Sequence, residues 1–223
     1  MIVKVCGMRN ADNIEQVRRL HPDMIGLIFY ARSPRFVGTE PLPHLQQSFA
    51  PAAKVGVFVN ETVVRIAELA AAFNLDAVQL HGSESPADCA ALRHRGLKVI
   101  KAFGIEKNVD FEQCASYSGC CDMFLFDTRT PAYGGAGTKF DWSIMAEYKQ
   151  DTPFLLSGGI GPDDAETVIA LRHPQLVGID LNSRFETAPA LKDVAKLEIF
   201  ISQIKRQQTT DDGRQTKNSL TIV

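Results

Sequence analysis

Eight short β-rich runs recur along the chain, each followed by a segment whose apolar residues fall at helical spacing, and this alternation is the pattern of parallel βα units. The expected strands are Ile2–Gly7, Asp23–Phe29, Lys54–Val59, Ala77–Gly82, Lys98–Gly104, Asp122–Thr128, Pro153–Gly158 and Leu176–Leu181. Several are nearly continuous apolar runs, as befits strands covered on both faces. The expected helices are Ala11–Leu20, Pro41–Phe49, Glu61–Phe73, Ser85–Arg95, Phe111–Tyr117, Asp141–Lys149, Pro162–Arg172 and Leu191–Ile204. Asn10 and Asn60 are placed to cap the first and third, Ser85 precedes Pro86 in the fourth, and Gly161 precedes Pro162 in the seventh.

Eight such units either close a barrel or lie in an open doubly wound sheet. No GxGxxG follows the first strand, and eight is the number that closes, so the expected fold is α/β, a (β/α)₈ TIM barrel in a single domain over residues 1–205. A chain of 223 residues is ordinary for one such barrel. From about Arg206 to Asn218 the chain is polar without apolar periodicity, so 206–223 is expected as a flexible tail.

A formal net charge of −2 and the absence of any Lys/Arg-rich block argue against a nucleic-acid partner. Met1 leads directly into Ile2-Val3-Lys4-Val5, and no apolar run approaches membrane-spanning length, so the expectation is a cytoplasmic protein with no membrane partner. Five cysteines, at 6, 89, 114, 120 and 121, are odd in number and lack paired metal-ligand spacing; reduced thiols and no metal are expected.

In a barrel of this kind the chemistry belongs at the carboxyl ends of the strands and in the loops that follow. Ser157-Gly158-Gly159 closes the seventh strand and opens a helix, where small residues let backbone N–H groups approach an anion; the same triplet also suits a tight turn. Asn182-Ser183 supplies further donors after strand eight, and the loops after strands seven and eight are the common phosphate site. Asp127 ends the apolar run Met123-Phe124-Leu125-Phe126 and reads either as a general acid held protonated by hydrophobic walls or as a hydrogen-bonded strand-end aspartate. Cys6 ends strand one and is a small buried hydrophobe unless a cation or a helix terminus stabilises its thiolate; Lys4 and Arg9 are near it in sequence. Arg35 can grip a carboxylate through its planar fork or stand in solvent. His81 reads as a positioning or structural residue more than a proton carrier, and Gly134-Gly135-Ala136-Gly137 as a lid or backbone-binding loop.

Taken in order, Lys4-Val5-Cys6-Gly7-Met8-Arg9, Ser33-Pro34-Arg35-Phe36-Val37, Val55-Gly56-Val57-Phe58-Val59-Asn60, Val78-Gln79-Leu80-His81-Gly82, Gly134-Gly135-Ala136-Gly137 with Phe140-Asp141-Trp142, and Leu156-Ser157-Gly158-Gly159-Ile160 resemble the phosphoribosylanthranilate isomerase family of tryptophan biosynthesis. The resemblance spans nearly the whole expected barrel. It implies a cofactor-free Amadori rearrangement of N-(5-phosphoribosyl)anthranilate, with Asp127 as general acid and Cys6 as general base. It further implies Arg35 against the anthranilate part, His81, Gly135, Gly137 and Asp180 on the substrate, and Ser157, Gly158, Gly159, Asn182 and Ser183 around its phosphate. The implied partner is therefore a small phosphorylated molecule, and the chain is expected as a monomer or weak homo-oligomer. Two positions depart from the family pattern: Ala136 replaces a threonine, and Arg184 replaces a glycine in the eighth loop. Arg184 either adds a charge to the phosphate clamp or points to solvent from a backbone less able to adopt positive φ. The rivals are a related phosphosugar barrel, such as the histidine-pathway isomerase or indole-glycerol-phosphate synthase, and a phosphometabolite-binding barrel without turnover. The histidine-pathway enzyme uses two strand-end aspartates, against which Cys6 argues.

Overall fold

A computed structural model describes residues 1–105, 111–128 and 139–211, with side chains as far as 206. Each expected strand forms, in order: β1 (Ile2–Val5), β2 (Met24–Ile28), β3 (Ala53–Phe58), β4 (Ala77–Leu80), β5 (Lys98–Ile105), β6 (Met123–Thr128), β7 (Phe154–Leu156) and β8 (Leu176–Leu181). Neighbours pair in parallel, and Val5 stands level with Ile25 of β2 on one side and Leu181 of β8 on the other, so the sheet closes into a barrel.

Closure sorts the side chains by parity, since alternate residues of a strand face opposite sides. Met24, Val55, Ala77, Ile100, Leu125 and Leu155 pack together inside the barrel. Val3, Leu27, Phe58, Val78, Phe124 and Phe126 pack in the layer between barrel and helices. The inward parity also belongs to Lys4 and Cys6 of β1, Gln79 of β4, Asp127 of β6 and Asp180 of β8, so polar side chains collect where the inward rows run out at the strands' carboxyl ends. At the opposite end Asp23, Asp76 and Asp122, each just ahead of an even-numbered strand, accept the N–H of Val3, Lys54 and Val99 at 2.7–2.8 Å and fix the starts of β1, β3 and β5.

The helices are α1 (Ala11–Arg18), α2 (Pro43–Gln46), α3 (Val63–Phe73), α4 (Pro86–Arg93), α5 (Ala165–Ala170) and α6 (Val194–Asp211). Asn10 caps α1 through the N–H of Asn13, and Ser85 with Asp88 forms a reciprocal cap on α4, each worth about 1 kcal/mol. Gly161 opens the seventh segment, its N–H bonded to Asp164 Oδ2 at 2.6 Å. Asn60 does not cap α3. It takes a left-handed φ of 53°, its side chain accepts from Ser83 N–H, and Thr62 is the cap instead.

Other segments are shorter or tighter than expected. Phe111–Tyr117 and Trp142–Glu147 are 3₁₀ turns, and Pro162–Asp164 is a 3₁₀ turn ahead of α5. Segments of about two turns, rich in Ser, Cys and aromatics, do not repay α-helix nucleation. Trp142–Glu147 still anchors the barrel, because Tyr148 at its end packs edge-on against Phe126 and Phe154 at 5.3 and 5.2 Å. Such pairs contribute about 0.5–1.5 kcal/mol each beyond their buried area. Leu191 and Lys192 belong not to the last helix but to a hairpin of β9 (Glu186–Ala188) and β10 (Leu191–Lys192), turned at Ala190 with φ 65°. α6 runs past residue 205 to Asp211, and 212–223 of the expected tail lies outside the described residues. Among the described residues, no helix is long and apolar enough to cross a membrane.

Candidate active site

Cys6 is fixed by its own strand and by its neighbour. Its N–H bonds to Leu181 O at 2.9 Å, and a side chain on Gly26 of β2 would stand 2.6 Å from its Sγ, so only glycine leaves the thiol its place. Two residues earlier on the same inward row, Lys4 is wholly buried and bonds Asp180 Oδ1 at 2.9 Å. Burial opposes the charge on Lys4, but Asp180 and Cys6 outweigh it and hold the ammonium above its ordinary value. Burial likewise pushes the Cys6 thiol up; Lys4 pulls it down, Asp180 adds to the rise and Lys192 opposes it. Arg9, the other cation close in sequence, turns away and bonds Phe36 O at 3.2 Å, tying the loop after β2 to the loop after β1.

Asp127 stands on β6 with Oδ1 accepting the N–H of Thr128 at 2.8 Å. Its Oδ2 lies 3.3 Å from Nε2 of His81, which reaches across from the end of β4. The strand between them, β5, pairs Gly104 with Asp127, and a residue without a side chain leaves the space open. Gln79 Nε2 is 2.8 Å from His81 Nδ1, so with the amide in this orientation Nδ1 accepts and Nε2 carries the proton toward Asp127. Gln79 Oε1 is buried without a hydrogen-bond partner.

Arg35 is buried rather than solvated. Its Nε and Nη2 grip Glu186 of β9 at 2.9 and 2.6 Å. Lys192 of β10 bonds Glu186 Oε1 and Asn182 Oδ1, each at 2.7 Å. Burial raises the Glu186 carboxyl, but Arg35 and Lys192 outweigh this and hold it below its ordinary value, while burial lowers Lys192 against the pull of Glu186. Gly7, at φ 76°, fits between Arg35 and Asn182, where a Cβ would stand 2.7 Å from Arg35 Cδ and 2.8 Å from Asn182 Oδ1. Loops after β1, β2 and β8 are thereby locked together.

Ser157, Gly158 and Gly159 follow β7, with the Ser157 N–H bonded to Phe126 O at 2.8 Å. Both glycines take positive φ, 86° and 68°. A Cβ on Gly158 would stand 2.7 Å from Thr128 N and 3.2 Å from Asp127 Oδ1, so this turn rests directly against the β6 carboxylate. Gly158→Ala is therefore expected to destabilise the fold by about 1–3 kcal/mol, the scale of an unfavourable backbone conformation. Urea unfolding reads this directly; an unchanged midpoint would mean that the turn relaxes without cost. Ser183 and Arg184 lie in a 3₁₀ turn after β8, and Arg184 does not take positive φ. Its side chain leans on the loop after β7, with Nε 3.4 Å from the place of a Gly161 Cβ.

Cys6, Asp127, His81, Arg35, Asp180, Ser157, Gly158, Gly159, Asn182 and Ser183 thus gather at one end of the barrel, while Gly135 and Gly137 lie outside the described residues. The sequence assigns no role to Lys192 and Glu186, which fall in an expected helix and a loop, or to Gln79, quoted only within its motif, whose inward parity on β4 is the available signal. No group of three or more His, Cys, Asp or Glu among the described residues is arranged to hold a metal ion.

The family model of N-(5'-phosphoribosyl)anthranilate (PRA) isomerase matches residues 3–203. The chain is 54% identical over 209 residues to the N-(5'-phosphoribosyl)anthranilate isomerase of Parabacteroides distasonis, covering 92% of this chain and 93% of that protein. It is 45% identical to the enzyme of the same name from Phocaeicola vulgatus, covering 93% and 99%. Among solved structures, phosphoribosyl anthranilate isomerase from Thermotoga maritima superposes with a TM-score of 0.80 at 33% identity, over 92% of this chain and all (100%) of that one. A phosphoribosyl anthranilate isomerase solved with reduced 1-(o-carboxyphenylamino)-1-deoxyribulose 5-phosphate superposes at 0.78 with 30% identity, over 92% and 100%. An eight-stranded closed barrel, a rim that gathers the motif residues and a match over nearly the whole length together place this chain in the N-(5'-phosphoribosyl)anthranilate isomerase family.

Proposed function

We propose that the chain catalyses the Amadori rearrangement of N-(5-phosphoribosyl)anthranilate to 1-(2-carboxyphenylamino)-1-deoxyribulose 5-phosphate, with Asp127 and Cys6 moving the protons and no cofactor. Asp127 protonates the ribose ring oxygen as the bond from C1 to that oxygen breaks, and the anthranilate nitrogen takes up the positive charge as an iminium. The Cys6 thiolate then removes the proton from C2, now acidified by the adjacent iminium, and the resulting enolamine tautomerises to the ketone. The observation that carries this reading is the pairing of His81 with Asp127: a strand-end carboxylate held at 3.3 Å by a ring whose other nitrogen is bonded to Gln79 is oriented toward the barrel mouth.

The phosphate falls to Ser157, Gly158 and Gly159 with Asn182 and Ser183, and Arg184 lends charge from the edge of that cradle. Arg35 meets the anthranilate part, and Glu186 and Lys192 hold it in position; His81, Asp180, Gly135 and Gly137 complete the contacts. Five free thiols suit a reducing cytoplasm. Among the described residues the large exposed apolar ones, Leu42, Val64, Leu191 and Ile199, fall on separate elements, which supports a monomer or weak homo-oligomer; a Thermotoga maritima relative is described as dimeric. Expression of this chain in a bacterial strain that lacks the isomerase is expected to restore growth without tryptophan, whereas Asp127→Asn is not. Failure of the unmodified chain to rescue, at normal expression, would contradict the assignment.

A further inference from the structure

We propose that Lys4 is a positioning residue for Cys6: inside the barrel its ammonium is the counter-ion on which the Cys6 thiolate forms, and Asp180 is the carboxylate that competes for that ammonium. The inference rests on the reading of Cys6 as the base and adds how that base becomes available.

The barrel interior has no need of this charge for packing. Met24 beside Lys4 and the residues packed inside the barrel are apolar, and a buried ion pair is commonly replaced by apolar residues at no loss, so Lys4 and Asp180 are poorly explained as a source of stability. Their placement explains them better. Strand parity puts Lys4 and Cys6 on the same face of β1, two residues apart, and the register of β1 with β8 sets Asp180 level with Lys4. Lys4 bonds Asp180 at 2.9 Å, and Cys6 stands two residues along the same inward row, so one ammonium lies between a carboxylate and an ionisable thiol.

The remaining surroundings of Cys6 are accounted for element by element. Gly26 and Ile28 of β2 and Val57 of β3 bring no charge, and Tyr30, packed against that apolar patch, brings a phenol. Lys192 of β10 is the second cation that acts on Cys6, but it is bonded at 2.7 Å to both Glu186 and Asn182. Lys4 is thus the cation with charge to share. When Cys6 loses its proton to solvent, the ammonium moves its interaction from Asp180 toward sulfur. When Cys6 takes the proton from C2 of the substrate, the ammonium returns to Asp180. The buried pair in this reading is a reservoir that lowers the cost of the thiolate in a place that otherwise disfavours it.

The test titrates Cys6 in the free protein, by the ultraviolet absorbance of its thiolate as the difference between each protein and the same protein carrying Cys6→Ser. Lys4→Met is expected to move the titration to higher pH, and Asp180→Asn to move it to lower pH. Because Lys4→Met leaves Asp180 buried and unpaired, the double variant Lys4→Met/Asp180→Leu supplies a folded control with an apolar interior, and its titration is also expected above that of the unmodified protein. In Lys4→Met, kcat/KM at neutral pH is expected to fall by about tenfold or more, the scale of removing one opposite charge from the neighbourhood of a titrating group, with its ratio to the unmodified protein recovering as pH rises. Lys4→Met and the double variant titrating together with the unmodified protein would overturn the proposal, as would displacement of all three variants in one direction. The titration needs no substrate, so a chain that failed to isomerise would still report on Lys4, and a normal isomerase with an unmoved titration would refute the role of Lys4 alone.

Discussion

Asp127→Asn is expected to lower kcat by about 10²–10⁴-fold, the usual contribution of a positioned general acid, while leaving the fold intact. The substitution is nearly isosteric: the amide oxygen can still accept the Thr128 N–H, and the amide nitrogen, standing where Oδ2 stood, can donate to His81 Nε2 once the ring changes tautomer. What it cannot do is deliver a proton to the ring oxygen of the substrate, so ring opening loses its acid while binding persists. The loss should fall on kcat with little change in the affinity for the reduced product analogue, because only an interaction realised in the transition state has been removed. Steady-state kinetics and a binding titration on the same preparation check both halves. Turnover near that of the unmodified chain would remove Asp127 from the mechanism and leave His81 as the nearest alternative proton donor.

Cys6→Ser is expected to cost a similar factor, about 10²–10⁴-fold in kcat, for the complementary reason. A hydroxyl fits the space that Gly26 leaves, but it ionises far less readily than a thiol, and neither Lys4 nor Lys192 can make up that difference. The pH dependence supplies the sign. The base works deprotonated, and burial raises the Cys6 thiol above its ordinary value of 9.0, so the free protein holds it mainly as the thiol at neutral pH. Because Asp127 must keep its proton at the same time, the signal is the ratio of kcat/KM of the unmodified chain to that of Cys6→Ser, in which the requirement for the acid cancels; this ratio should climb as pH rises toward the raised thiol value. A ratio that is flat or falling above neutral pH would mean that the carbon proton goes to another group.

These predictions rest on residues of which some were readable in the chain and others were not. Strand positions were readable because parallel strands covered on both faces carry apolar runs, and the residue that ends such a run, Cys6 or Asp127, lies at the barrel rim. The caps Asn10 and Ser85 followed from local chemistry alone. The partners of those residues did not. His81 meets Asp127 only because closure brings β4 and β6 to either side of Gly104, a relation that no local window contains. Lys4 sits in an apolar strand as an apparent exception, and its meaning depends on the register of β1 with β8 at the far end of the chain. Lys192 and Glu186 were lost to a different cause. Leu191 fits the helical spacing of the residues that follow it, so periodicity extended the last helix over a hairpin whose turn at Ala190 has no glycine to announce it. Arg184 shows the converse: an arginine in place of glycine reads as a backbone problem, but it lies in a 3₁₀ turn without positive φ, where the backbone does not require glycine.

The assignment as a whole stands most openly on one experiment. Freshly generated N-(5-phosphoribosyl)anthranilate is mixed with the purified, chelator-treated protein, and anthranilate fluorescence is followed with Asp127→Asn and Cys6→Ser run in parallel. Rapid loss of fluorescence with the unmodified chain, at a rate at least about a hundredfold above either variant, is the predicted result. Saturable binding of the substrate without any loss of fluorescence would contradict it, and would make the rim a binding site for a phosphorylated metabolite in which these residues hold a ligand and move no protons.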